Sequence, residues 1–186
     1  MVYEFLADGF EEVEALSPLD LLRRCGVSVL TVCVSENEGD LLVTGAHGIT
    51  VKADVSAKEA EKLLRSRDDL EMIILPGGMP GTKNLDASEP VHAFITEAVE
   101  QGAVISAICA APMILGKRGL LAGRKATCFP GFEEYLTGAE VGGRVAVDGT
   151  FITSCGMGAA VEFGLALVEA LKGKDAADAL GKAVLA

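Results

Sequence analysis

One cysteine of this chain stands where a nucleophile would. The apolar run Ala103 to Ile108 reads as a strand, it runs directly into Cys109, and Ala110–Ala111–Pro112–Met113–Ile114–Leu115 opens a helix. A strand that turns sharply into a helix through a single residue is a nucleophile elbow. The turn holds that side chain at a strained backbone angle above the carboxyl edge of the sheet, where open α/β sheets bind their ligands. Such a turn is crowded and needs small neighbours, and Ala107, Ala110 and Ala111 are small. The N–H groups that open the following helix point at the sulfur, so a stabilised thiolate and a lowered thiol pKa are expected.

Two further segments carry groups that complement a thiol. The run Met72–Ile73–Ile74–Leu75 ends on Pro76–Gly77–Gly78. If that strand lies beside the Cys109 strand, the N–H groups of Gly77 and Gly78 join that of Ala110 in an oxyanion hole. The loop after the first strand holds Glu11 and Glu14 at helical spacing, and a carboxyl group from there could reach the sulfur. Each signal also has a plainer reading. A cysteine after an apolar strand can be an inert buried residue, a glutamate cluster can be a solvated helix start, and Pro-Gly-Gly can be a turn. They gain force together, because a doubly wound sheet brings these strand ends to one edge. Met79, Phe129 and Met157 are expected to line the approach to Cys109, or else to be ordinary loop packing. Cys128 and Cys155 are either resolving thiols for a sulfenate on Cys109 or small core and loop residues. Glu4 sits inside the apolar first strand, where an unpaired carboxylate is costly, so it is expected to reach solvent, a partner at the strand edge or an interface.

The elements that must position these residues alternate short apolar runs with amphipathic stretches. That pattern argues for a mostly parallel sheet with helices on both faces. Val2–Ala7 and Val27–Val34 read as the first two strands. The helix between them starts either at Ser17, with Pro18 at its first position, or near Phe10 with a kink at Pro18. Residues Leu41–Ala53 read as a small hairpin, Lys58–Arg65 as a short polar helix, and Ser88 as the cap of a helix with Val91, Phe94, Ile95, Ala98 and Val99 inward. Two short strands, Arg144–Val147 and Phe151–Thr153, precede a long helix with Val161, Leu165, Val168 and Leu171 inward, and Asp175–Leu185 forms the last helix.

Bulk composition narrows the function classes. A length of 186 residues, half of them hydrophobic, is read as one domain spanning 1–186 with a sizeable core. Acidic residues outnumber basic ones 27 to 16, which disfavours nucleic acid and anionic membrane surfaces as partners. No basic leader and no membrane-length apolar run is seen, so a cytoplasmic address is expected. Five scattered cysteines without a Cys-x-x-Cys argue against a disulfide framework or a structural zinc site, and no metal or organic cofactor is called.

Four segments together carry a resemblance: Gly9–Phe10–Glu11–Glu12–Val13–Glu14–Ala15, Leu75–Pro76–Gly77–Gly78, Ala107–Ile108–Cys109–Ala110–Ala111–Pro112 and Thr153–Ser154–Cys155–Gly156–Met157–Gly158. In order and spacing they resemble the ThiJ/PfpI family over essentially the whole chain, in the branch of the Parkinson's-disease-associated protein. The resemblance implies a flavodoxin-like three-layer sandwich related to class I glutamine amidotransferases and a homodimer. It implies Cys109 as nucleophile or redox-sensitive thiol and Glu14 as the protonated carboxyl beside it. Gly78 and Ala110 are implied as oxyanion-hole donors. It also implies cofactor-free chemistry on a small carbonyl or glycated substrate, of glyoxalase or deglycase type, or alternatively an oxidative-stress sensor or redox-regulated chaperone. Many relatives place a His near the thiol, whereas this chain has Ala110 after the Cys and Phe129 before Pro130, with His47 and His92 as its only histidines. Amidase or protease chemistry therefore ranks low.

Overall fold

In the computed structural model, which describes residues 1–35, 41–66 and 69–186, the chain opens on a strand buried along its whole length, β1 (Val2–Ala7). Helix α1 (Glu12–Arg24) returns across the sheet to β2 (Val29–Val34), and a hairpin of β3 (Leu42–Thr44) and β4 (Thr50–Lys52) follows. Next come β5 (Val55–Ser56), α2 (Ala57–Ser66), β6 (Met72–Leu75), the short α3 (Gly81–Asp86), α4 (Glu89–Gln101) and β7 (Val104–Ile108). The chain continues through α5 (Pro112–Lys117), the two-residue strands β8 (Lys125–Ala126) and β9 (Glu140–Val141), β10 (Val145–Asp148) and β11 (Phe151–Ser154), then α6 (Ala160–Lys172) and α7 (Lys174–Val184).

The main sheet runs β10-β11-β7-β6-β1-β2-β5, and every neighbouring pair is parallel except β10–β11. Parallel strands need helical crossovers, so both faces are covered and strands such as Met72–Leu75 are apolar without alternation. On one face Tyr3, Phe5, Ile73 and Ile105 pack under Val91, Phe94 and Ile95 of α4. The Phe94 ring lies 4.9 Å from that of Tyr3 and 5.0 Å from that of Phe5. On the other face Val2, Ile74, Ile108 and Ile152 pack under Leu22 of α1 and Phe163 and Leu167 of α6. This is the expected flavodoxin-like three-layer sandwich, with the first strand central and the β6, β7 and β1 carboxyl ends at one edge. No helix of the described residues is long and apolar enough to cross a membrane.

Several local expectations are corrected. Helix α1 starts at Glu12, because the Glu11 carboxylate caps it by accepting from Glu14 N at 2.7 Å, and Pro18 lies inside the helix. The reading with Ser17 as cap fails. In α6 the inward face is Ala160, Phe163, Gly164, Leu167 and Val168, while Val161 is exposed: the bulkier Phe163 takes the place against Ile108 and Ile152. Val99 of α4 is likewise exposed, the apolar stripe being narrower than its composition suggests. Glu4 reaches neither solvent nor a partner. It is 0% exposed, and both carboxyl oxygens lack a hydrogen bond. The strand is buried along its whole length and allows no exit, and burial raises the Glu4 pKa well above the ordinary carboxylate value, which favours the neutral form.

Candidate active site

Strand β7 delivers Cys109 to the carboxyl edge. Its N–H donates to Ser154 O at 2.8 Å, and its carbonyl accepts from Phe129 N at 2.8 Å. Held from both sides, Cys109 adopts φ +65°, a left-handed conformation that a residue with a Cβ rarely takes. The elbow expected from the sequence is therefore present as backbone strain held in place by neighbouring hydrogen bonds.

Against the sulfur side of this turn lies Gly77, at the end of β6. A Cβ placed there would fall 2.3 Å from Glu14 Oε2 and 2.6 Å from Cys109 Cβ, so only glycine leaves room for both groups. Glu14 projects from the first turn of α1 and is 1% exposed. Its Oε2 has no hydrogen-bond partner of ordinary geometry. The Cys109 sulfur is nevertheless close enough to favour its charged form, as do the N–H groups of Gly77 and Met157. The N–H groups of Gly78 and Ala110 face the Cys109 sulfur. Of the three donors expected around the thiol, then, Gly78 and Ala110 serve the sulfur and Gly77 serves the carboxyl.

Burial pushes the Glu14 carboxyl up to about 7, partly offset by the sulfur contact. The Cys109 thiol is pushed up to about 12, by burial first and then by the negative charge of Glu14. The lowered thiol pKa expected from the helix N-terminus is not found. Helix α5 has only six residues and begins at Pro112. The two N–H groups that do reach the sulfur are outweighed by desolvation and by Glu14.

The loop carrying Glu11 and Glu14 is tied on two sides. Glu11 N donates to Gly77 O at 2.9 Å and Gly81 N to Gly9 O at 3.1 Å, which joins it to the β6 turn. Gly9 N donates to Thr44 O at 2.8 Å and Ala46 N to Phe10 O at 2.7 Å, which joins it to the β3–β4 hairpin. Glu12, 4% exposed, completes the second tie: its Oε1 accepts from His47 N at 2.7 Å and its Oε2 lies 2.8 Å from His47 Nδ1. Glu11, Glu12 and His47 bring ligand-type atoms within 4.8 Å of one another, but the Glu12 oxygens are already filled by the hairpin. His92 sits on α4 with its Nε2 2.8 Å from Asp86 O. Both histidines are thus engaged away from the thiol.

Met79, Phe129 and Met157, expected from the sequence to line the approach to Cys109, are 39%, 46% and 53% exposed. The Phe129 ring packs on Gly156: a Cβ there would lie 3.3 Å from Phe129 Cδ2 and 3.8 Å from Glu14 Oε1. Cys128 is buried under the opposite face of the sheet and Cys155 is half-buried after β11. No two cysteines are bonded among the described residues. Sequence reasoning missed two contributors. Glu12 gave no signal, because its partner is 35 residues away. The Met157 N–H gave only the weak signal of its Gly-Met-Gly setting.

A family model described as the DJ-1/PfpI family matches residues 1–170. The chain is 37% identical over 175 residues to Protein DJ-1 homolog B of Arabidopsis thaliana, covering 92% of this chain and 38% of that protein. It spans 45% of a second relative from the same plant, so it is less than half the length of either. A protein of Pyrococcus abyssi named a deglycase is 30% identical over 151 residues, 80% of this chain and 85% of that one. Among solved structures, oxidized Toxoplasma gondii DJ-1 superposes with a TM-score of 0.90 at 35% identity, covering 99% of this chain and 97% of that one.

Proposed function

The chain belongs to the DJ-1/PfpI family, and on that premise we propose that it is a cysteine-dependent, cofactor-free enzyme acting on small reactive carbonyls. The observation that carries the reading is the burial of one carboxyl group and one thiol together against Gly77, at a strained turn with N–H donors on both groups. A Pyrococcus abyssi relative named a deglycase is in keeping with it.

The Cys109 thiolate attacks the aldehyde carbon of an α-oxoaldehyde. A C–S bond forms, the carbonyl π pair moves to oxygen, and that oxygen is held by the N–H groups of Gly78 and Ala110 and protonated by Glu14. The resulting Glu14 carboxylate then takes the proton from the former aldehyde carbon and returns it to the neighbouring carbon, while the hydroxyl proton passes from the first oxygen to the second, giving a thioester of a 2-hydroxy acid. Water cleaves the thioester, and the thiol and the hydroxy acid leave. Net, one water is added and nothing external is oxidised or reduced. Methylglyoxal turnover by the protein, Cys109→Ser and Glu14→Gln tests this. Turnover should vanish in the first variant and fall at least about a hundredfold in the second; equal turnover by all three would overturn it.

A second reading draws on the same pair. A half-buried thiol beside a neutral carboxyl is suited to hold a sulfinate after peroxide, since the acid donates a hydrogen bond without adding like charge. The Toxoplasma gondii neighbour is described as oxidized. Intact mass after graded peroxide, read beside turnover, separates the two: gain of two oxygens at Cys109 with only stoichiometric methylglyoxal consumption favours the sensor.

A further inference from the structure

Three residues that border the Cys109–Glu14 pair along the chain or through the backbone, Met79, Phe129 and Met157, carry apolar side chains. Met79 follows Gly78, whose N–H faces the sulfur. Phe129 donates its own N–H to the Cys109 carbonyl. The Met157 N–H lies close enough to Glu14 to favour its charged form. All three side chains remain between 39% and 53% exposed at the mouth. The Phe129 ring packs on Gly156, the residue before Met157, and stays 46% exposed.

Among the described residues, the basic side chains around the acidic loop and this rim are already engaged by carboxylates: His47 Nδ1 lies 2.8 Å from Glu12 Oε2 and 4.0 Å from Glu11 Oε1. Arg144 reaches the Gly156–Gly158 turn, but its Nη2 donates to Gly158 O at 2.6 Å and its Nε to Glu162 Oε2 at 2.8 Å. Glu11, which caps the helix of Glu14, adds a carboxylate nearby. An anion at the thiol would meet that charge in a molecule already carrying a net −11.

We infer that the site selects uncharged α-oxoaldehydes with an apolar, preferably aryl, substituent, and that Phe129 and Met157 seat that substituent. The inference rests on the reading of Cys109 as nucleophile. A carbonyl carbon bonded to the sulfur has its oxygen directed to Gly78 and Ala110, which leaves the substituent to lie toward the rim. Desolvation of an apolar group there strengthens binding, and each added carbon counts by a modest factor.

The test compares kcat/KM for glyoxal, methylglyoxal and phenylglyoxal in the protein, Phe129→Ala and Cys109→Ser. It also compares Cys109 alkylation by phenacyl bromide, iodoacetamide and iodoacetate. We expect phenylglyoxal to exceed glyoxal by roughly tenfold or more. Phe129→Ala should cut phenylglyoxal turnover about tenfold more than glyoxal turnover. Phenacyl bromide should lose its advantage over iodoacetamide in the same variant, with iodoacetate slowest throughout. A flat or reversed order, or an equal loss on all substrates in Phe129→Ala, overturns the selectivity while Cys109-dependent turnover stands. Absence of Cys109-dependent turnover overturns the parent reading; the alkylation order then still decides whether the rim favours apolar reagents.

Discussion

A carboxyl group and a thiol in one buried space do not both give up their protons at neutral pH. With Glu14 at about 7 and Cys109 at about 12, the pair holds two protons below the first value and one between the two. In that window a constant share of molecules carries the charge on sulfur with Glu14 neutral. The rate of Cys109 alkylation by iodoacetamide should therefore climb with pH up to about 7 and then level off. In Glu14→Gln the titration near 7 is gone. The thiol, still buried but free of a negative neighbour, should gain reactivity only at alkaline pH, above its ordinary value near 9. A plateau near 7 in that variant would show that the carboxyl does not govern the sulfur. Most of this was readable in the sequence, because the elbow at Cys109, the Pro76–Gly77–Gly78 turn and the Glu11–Glu14 spacing are local patterns. The thiol pKa was not, since it is set by desolvation and by a group 95 residues distant in the chain, neither of which a local motif encodes.

Among the elements, the β3–β4 hairpin has the most to do with keeping the acidic loop in place. Burial pushes the Glu12 carboxyl up, but the hydrogen bonds it accepts, from His47 first, outweigh this and hold it below the usual carboxylate range, and Glu12 raises the His47 imidazole. The Glu12 contribution is lost as pH falls through its lowered folded value. The His47 contribution, full below its unfolded pKa, is lost as pH rises through its raised folded value. The tie is accordingly strongest between those limits, in mildly acidic solution. Glu12→Ala removes the acceptor of the His47 N–H and imidazole and should loosen the hairpin locally. Hydrogen exchange at residues 46–49 is the direct readout, and faster exchange there than in β1 is the expected result. Unchanged exchange would make the tie incidental. Such a contact is invisible in sequence, as is the true start of α1. Ser17–Pro18 has the local chemistry of a helix start, but the Glu11 cap and packing of the first turn against the loop extend the helix upstream.

On the scale of the whole molecule, Glu4 is the group least at ease in the sheet. It faces Thr31 and Ile74 across its strand neighbours. The charged groups that act on it are Arg23, which favours its ionised form, and Asp54, which opposes it. Asp54 itself accepts from Thr31 and from Arg23 at 2.7 Å. The native protein keeps the Glu4 proton after the unfolded chain has released it near pH 4, so the native state binds more protons and stability falls as pH rises above that point. Glu14, also raised, acts in the same direction up to about 7. Glu4→Leu should therefore raise Tm at pH 8 by at least about 4 °C and by less at pH 5. Calorimetric curves of the two proteins that stay parallel across pH would refute the assignment of a buried neutral carboxyl.

The ties around the acidic loop also bear on how this chain can vary. Between Ala7 and Glu12 the backbone meets Thr44, Ala46, Gly77 and Gly81 at fixed positions in two separate segments. One residue added or removed there would put every one of those contacts out of phase at once. The connection from Leu136 to Arg144 bonds to Gly123, Arg124, Ala126 and Thr127 and, among the described residues, not to the loop, so a change of length there would leave the loop's contacts in phase. Natural variants of this protein should therefore differ in length at its far side and keep the count constant around Cys109, whatever substrate they have come to use.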